Sequence, residues 1–556
     1  MFSRTPLSMG KVSSLIAMLI GALAMSAPAL AAGAGGDPPA KTEKDYLRDL
    51  KASPQDPKVL LDYGVFLYDQ KKDYDGAERM YKEAIALDPK YSKALYKYAN
   101  LLTDQRERHK EAGEYFRRAI EADPMNLRAL NNYGVLLATK LNDPVGAEQY
   151  YKRAIQAAPN FAVALGNYGK LLGDQLGDVD GAERMYKRAI EAEPTYSMPL
   201  INYGKLLDER RHDYRGAEEM YKRAVDVDPT NAMALNNYAW ILMERRQRID
   251  EAEQLFKKAM ERSPRDVIVL TNYALLLSKY RKDVAGAEKL YLRALDAQPT
   301  SSTALRGYAM LLEHDKKDDK AAERLYRRAI EADPKDAVAV HDFAIMMENS
   351  RRDYAAAERL YKRAIELAPS NSQFLTDYAM LLKNRRKDYS HAEEYFKRAI
   401  DADPADTRAM NSYALMLGSS RKDVAGAEKL FQRALSVDPK DPAVLNNYAN
   451  LLERTGTDDK RAEALYRQAI ELQPHEVNPR ANLAHLLLGR GRHEEGLNAL
   501  DQAIADIRDD TGKGIQVECW FYAFAHRAES SQLEALTKLK GLLVVDGARS
   551  EDWDLT

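Results

Sequence analysis

A single cysteine, Cys519, is all that the 556 residues contain. That excludes an internal disulfide framework and a cysteine-based zinc site, and a lone thiol is more often a small core residue than a nucleophile. No Asn-x-Ser/Thr glycan acceptor occurs anywhere, which leans toward a bacterial envelope rather than a glycosylating secretory route. Charge of one sign is also missing. The formal net charge is −2, so no chain-wide basic field exists to attract nucleic acid or an anionic membrane. His-Glu-x-x-His, Gly-x-Ser-x-Gly and a phosphate-cradling Gly-rich loop are all absent, and the nine histidines are scattered. The sequence therefore predicts no enzyme, no catalytic residues, no metal site, no cofactor and no small-molecule substrate. What is present is 45% hydrophobic and 30% charged residues, a balance that suits a soluble, largely helical protein and argues against disorder.

The first 36 residues differ from the rest. Arg4 and Lys11 form a positive start, an apolar stretch runs from Leu15 to Met25, and Ala29-Leu30-Ala31 supplies small residues for a signal peptidase. Residues 1–31 are expected to be a cleaved signal peptide, whose two positive charges would leave the mature chain at −4. The alternative is an uncut membrane anchor over the uncharged residues 12–36, although its apolar core is short for a span. No cysteine follows the apolar stretch, so a lipoprotein anchor is excluded. Export to a periplasm or out of the cell is the expectation.

Proline then recurs at 54, 89, 124, 159, 194, 229, 264, 299, 334, 369, 404, 439 and 474, every interval being 35 residues. Thirteen prolines in one register define thirteen repeats, numbered here from the proline that opens each. In repeat 3, Leu130, Gly134 and Leu137 lie on one helical stripe, and Ala147, Tyr151 and Ala154 lie on another after a turn at Asp143. Two residues past the proline, Asp56, Asn126, Asn231, Asp266, Ser301, Asp336, Asn371, Asp406 and Asp441 can each cap the first helix. Pro57 and Pro442 suit the first helical position. Glu148 and Glu183 open second helices four residues before Lys152 and Lys187, which favours ion pairs. Neither helix can bury its stripe alone, so each pair must stack on its neighbours.

Gly134, Ala147, Tyr151, Ala154 and Pro159, like Ala309, Ala322, Tyr326, Ala329 and Pro334, fill the signature positions of the tetratricopeptide repeat, which this chain resembles over residues 54–508. Two departures are consistent. The turn is one residue longer, and helix A reads Tyr-small-x-x-Leu (Tyr133, Leu137) in place of Leu-small-x-x-Tyr. The resemblance implies an all-α, right-handed superhelical solenoid of about 13 helix-turn-helix repeats with helical caps. Lys41 to Ala52, within a spacer over 32–53, is expected to cap the start, and residues 509–556, with Trp520, Phe521, Tyr522 and Phe524, to cap the end. In repeat 13 the turn is shorter, and Gly496, Leu500 and Ala503 take the helix-B positions. Pentatricopeptide repeats, which read RNA, share the period, but here Ala-x-x-x-x-Pro (Ala224 to Pro229) replaces their glycine before the proline. Some glycosyltransferases carry such an array before a catalytic domain, yet only 48 residues follow residue 508.

Family resemblance puts helix A on the concave face. Two residues before its small residue stand Asn132, Asn167, Asn202, Asn237 and Asn272, then Asp342, Asp377, Asn447 and Asn482. An amide that both donates and accepts could hold an extended peptide backbone. The competing reading is that these residues brace the neighbouring helix. One residue after the small residue, Val65, Asn100, Val135, Lys170 and Lys205 give way to Trp240, Leu275, Met310, Ile345, Met380 and Leu415. That apolar row is either a binding stripe or packing between A helices. Lys93, Lys97, Asn132, Val163 and Asn167 do not reproduce the set with which relatives grip a terminal carboxylate. Basic pairs late in helix B, such as Lys187-Arg188, Arg327-Arg328 and Lys362-Arg363, read as a solvated face neutralised by glutamates one turn earlier. The expected function is to hold proteins or peptides in the groove as a scaffold or adaptor. The alternative is a substrate-recruiting subunit of an envelope enzyme complex such as a glycosyltransferase.

Overall fold

A computed structural model describes residues 41–505. The expected signal peptide, most of the spacer, Cys519 and the aromatic-rich tail lie outside the described residues. Those described contain 27 α-helices and no strand, one helix more than thirteen pairs. None of them is long and apolar enough to cross a membrane. The chain divides into two compact units that meet in sequence at Gly307 and Tyr308.

Residues 41–307 open with the helix Glu43–Ala52, which buries no residue fully and lays Tyr46 against the rings of Phe66 and Tyr63 at 4.8 and 6.1 Å. Helix pairs follow in the register of the prolines. Each helix B, such as Tyr74–Leu87 or Pro144–Ala157, packs on helix A of its own repeat and on helix A of the next. Successive A helices also touch. Leu130 is fully enclosed, as are Ala147 and Ala154, and Tyr151 is 2% exposed. A continuous core runs in this way from Leu60 to Ile241. Small residues set the close approach of the two helices. A Cβ on Gly134 would lie 2.8 Å from a ring carbon of Tyr151, so the ring occupies the space that the glycine leaves.

Residues 308–505 repeat the scheme, with Tyr326, Tyr361, Phe396, Phe431 and Tyr466 buried as the central ring of helix B in repeats 8 to 12. Burying one such ring stabilises by about 1.5–3 kcal/mol. In repeat 13 helix B is His493–Ala505, with Ala503 enclosed and Gly496 close against Leu488.

The caps read from the sequence are made. Asp56, Asn126, Asn231, Asp266, Asp336, Asn371, Asp406 and Asp441 each accept from a first-turn N–H, and Ser301 does so from Ala304. The thirty-fifth residue has a definite place. Helix A of repeats 1, 4, 5, 7, 10 and 11 widens into a π turn, as at Leu67–Lys71 and Leu277–Arg281. A left-handed residue follows, among them Lys72, His212, Lys282, Lys387 and Lys422, with φ of 54–57°. The N–H of the next residue, Asp73 or Asp283, then returns to the carbonyl of Leu67 or Leu277, and its side chain caps helix B.

Candidate functional site

Asn132, Asn167, Asn202, Asn237 and Asn272 all stand half-buried on the A-helix face of residues 41–307, but their amides differ in occupation. The residue that decides this sits one place earlier in the chain. Asn131 donates to Asn132 at 2.9 Å and accepts from Asn167, in the next repeat, at 3.0 Å. Asn236 does the same for Asn237 and Asn272, at 3.1 and 3.0 Å. Asn132 also donates to Asn100 at 3.1 Å, so both ends of its amide are engaged. Braced and open amides are therefore mixed within one column.

Repeats 4 to 7 keep open capacity. Asn202 makes no side-chain hydrogen bond among the described residues, because Gly166 and Ile201 stand where the bracing asparagines would be. The NH₂ of Asn237 and the carbonyls of Asn167 and Asn272 likewise have no partner among the described residues. Four consecutive amides thus present polar atoms at a half-open surface, where leaving them unpaired costs little only while water reaches them.

One side of this row is apolar. Val163, Met198 and Ile268 are half-buried, and Met233 is 46% exposed. The other side changes along the array, from Lys170 and Lys205 to Trp240 and Leu275, the last two half-buried. Lys170 pairs with Asp174 at 2.5 Å, whereas Lys205 lies 3.9 Å from Glu209. A shallow cleft between repeats 4 and 5 is lined by Lys170, Asp174, Tyr186, Asn202, Lys205 and Glu209. Burial pushes the Glu209 carboxyl up to about 7, against the opposing pull of Lys205. Near neutrality Lys205 is therefore only partly compensated.

Residues 308–505 treat the same column differently. Met310, Ile345, Met380 and Leu415 are each half-buried, so the apolar row here is neither core nor open patch. Asn447 donates to Asn411 and Asn482 to Asn446, both at 3.0 Å, repeating the brace. Asp342 and Asp377 are buried rather than available to a ligand. Asp377 takes His341 Nε2 at 3.0 Å and the guanidinium of Arg408. Despite its burial, Arg408 and His341 hold its carboxyl well below the usual range.

Helix B holds interactions that the reading of single columns missed. The glutamate that opens it is a three-way node. Glu183 accepts from Lys187 at 2.8 Å, from the hydroxyl of Tyr203 at 3.1 Å and from Arg211 at 3.1 Å. Glu253 and Glu393 repeat the node with Tyr273 and Tyr413. The tyrosine that replaces the family's leucine in helix A therefore supplies a hydroxyl as well as volume. The basic pairs are not simply solvated. Their lysines do pair with glutamates one turn earlier, but Arg188 and Arg363 donate to the carbonyls of Pro159 and Pro334 in their own repeats, at 3.0 and 3.2 Å. Among the described residues no group of three or more His, Cys, Asp or Glu is placed to hold a metal ion.

Tetratricopeptide repeat profiles match residues 67–126, 104–160, 204–267, 279–337, 350–417 and 420–477, and two further profiles of that description match 162–196 and 458–512. The chain belongs to the tetratricopeptide repeat family. No curated protein matches this tetratricopeptide repeat chain. Among solved structures it is similar to yeast Tom70, at 16% identity and a TM-score of 0.42, over 81% of this chain and 99% of that one. It is also similar to the APC/C hetero-tetramer Cut9-Hcn1, at 14% identity and a TM-score of 0.43, over 86% and 99%.

Proposed function

We propose that this tetratricopeptide repeat protein is an exported scaffold that holds an extended peptide segment of a partner protein along the A-helix face of repeats 4 to 7. The observation that carries the reading is the run of open amide atoms on Asn167, Asn202, Asn237 and Asn272, flanked by Val163, Met198, Met233 and Ile268. Amides engage backbone with little regard to side chains, and the apolar flank adds affinity where the segment carries hydrophobic residues. Export rests on the leader over residues 1–31.

The test compares the intact protein with an N202A/N237A variant and an M198E/M233E variant, capturing partners in the native compartment and identifying them by mass spectrometry. Both variants should lose the partners that the wild type retains, while circular dichroism stays unchanged. An identical set of captured proteins from folded variants would refute the groove reading. M310E/M380E examines the half-buried row of repeats 8 to 10 in the same way. Sequencing the N-terminus of the mature protein, expected after Ala31, tests export.

A further inference from the structure

Helix A of repeat 5, Ser197–Leu206 continued by the π turn Leu207–Arg211, carries Asn202, Lys205 and Glu209 at spacings of three and four residues, which puts them on one face. They line the cleft between repeats 4 and 5 together with Lys170, Asp174 and Tyr186. Lys205 is less committed than its counterpart one repeat earlier. Lys170 is held by Asp174 at 2.5 Å, whereas Lys205 stands 3.9 Å from Glu209, beyond hydrogen-bond reach. In repeat 6 the same two positions are Trp240 and Glu244, and Glu244 is taken by Lys279 at 2.8 Å and by the hydroxyl of Tyr280 at 3.2 Å. Along repeats 4 to 6, repeat 5 is thus where an ammonium and a carboxyl face one cleft without closing on each other, beside an amide that is also open.

The charges around Glu209 come from each element packed on it. On its own helix Lys205 and Arg210 pull its carboxyl down and Asp208 pushes it up, and Asp174 on helix A of repeat 4 pushes it up as well. Asp208 is in turn paired with Arg245, on helix A of repeat 6, at 3.3 Å, and is drawn down by His212 at the end of the turn. Tyr186 and Tyr221, on helix B of repeats 4 and 5, are kept neutral by burial. Burial outweighs the lysine, and the carboxyl of Glu209 settles at about 7. Below that value it is an O–H donor, so Asn202, Lys205 and Glu209 present three donors in a row. A carboxylate complements such a row, because an ammonium and a carboxyl O–H each make a short, charge-assisted bond to it.

We propose that this cleft is a carboxylate subsite of the peptide-binding surface, taking an Asp or Glu side chain of the held segment between Lys205 and Glu209. The inference rests on the peptide-binding reading and adds what the segment must carry. A side chain fits better than a chain terminus, because open amides continue on both sides of the cleft, at Asn167 and at Asn237 and Asn272, so the backbone runs past it. Packed helices stand roughly 8–10 Å apart and an extended chain rises about 3.3 Å per residue, so one repeat corresponds to roughly three residues. The acid therefore lies about 3–6 residues from a hydrophobic residue that reaches Trp240 or Leu275 in repeats 6 and 7. Glu209 also sets a pH range. A bound carboxylate favours its protonated form, so binding takes up a proton once Glu209 is ionised. Affinity is level below about 7 and falls as pH rises through that value.

The test pans a displayed library of random peptides of about twelve residues, enough to span roughly four repeats, on the full chain at pH 6. Enriched peptides should carry Asp or Glu about 3–6 residues from a hydrophobic residue, and K205Q protein should enrich hydrophobic peptides without the acid. A selected peptide and its counterpart with the amide in place of the acid are then compared by fluorescence anisotropy. The acid form should bind the wild type at least about fivefold more tightly at pH 6, and that advantage should shrink at least about threefold by pH 8.5. In E209Q protein, whose amide is a donor at both pH values, the advantage should be the same at both. Peptides enriched without an acid overturn the subsite and leave the peptide-binding surface standing, whereas no enriched peptide overturns both. An acid needed only as the last residue marks a terminal carboxylate and overturns the side-chain assignment. A pH dependence that survives in folded E209Q overturns the role of Glu209. The comparison of acid and amide peptides uses the wild type alone, so it decides even where K205Q fails to fold.

Discussion

Asn167 and Asn202 are the same side chain in the same register, yet one is tied to Asn131 and the other is open because Gly166 has no side chain to offer. Column identity in a repeat thus predicts position but not availability, which is decided by a neighbour one residue away and one repeat back. The same holds for charge. Glu209 sits one turn from Lys205 with its side chain 17% exposed, and burial pushes its carboxyl up to about 7. An acid whose folded value lies above its unfolded one binds more protons when folded, so it is neutral to stability at low pH and becomes destabilising as pH climbs toward 7 and beyond. Replacing Glu209 with Gln should leave stability near pH 4 almost unchanged and raise it at pH 8.5 by up to about 3 kcal/mol. Urea denaturation at the two pH values reads the difference, and an equal change at both would disprove the assignment of charge.

Helix A ends in the feature that makes this repeat 35 residues long. A left-handed residue follows the widened turn, and in most repeats it is not glycine. For Lys282, φ is 57°, a region that costs a side-chain-bearing residue roughly 1 kcal/mol. Lys282→Gly should therefore be neutral to slightly stabilising, by up to about 0.5 kcal/mol, once the extra freedom of glycine in the unfolded chain is set against the relieved strain. Thermal unfolding checks it, and a clear loss of stability would mean that Lys282 holds the turn by other means. The period, the pairing of helices and the caps were legible in the sequence because each is signalled by a residue type with a local cause: proline, a capping Asp or Asn, a small residue beside a ring. The path of the extra residue was not, since a count of 35 says that the turn is longer and not where the backbone widens. Nor was the Tyr203–Glu183 bond, because it joins residues in different repeats and columns, and exchanging tyrosine for leucine reads at first as a matter of volume. In the candidate site the column of asparagines was found by register, while its division into braced and open members depended on Asn131 and Asn236, which lie outside that column.

Across residues 41–307 every interaction described runs within a repeat or to the next one: core rings, asparagine braces, glutamate nodes and ion pairs such as Glu244 with Lys279 at 2.8 Å. An array built only from neighbour contacts stores its stability as a sum of repeat and interface contributions, and it can open in one stretch while distant repeats stay closed. A compact domain that unfolds all at once spreads the cost of a core lesion over every helix. Phe256 separates the two cases. It is fully buried in helix B of repeat 6 and stacks on Tyr273 of repeat 7 at 6.1 Å, with 17° between the rings. Phe256→Ala should cost about 3–5 kcal/mol where it sits. Hydrogen exchange by mass spectrometry should then show lost protection in residues 229–298, an intermediate loss in repeat 5, and none in the helices Pro57–Phe66 and Ser92–Asp104 of repeats 1 and 2. Equal loss in all of these segments would mean that residues 41–307 unfold as one cooperative block, so that contacts between neighbours are too strong for any repeat to open alone.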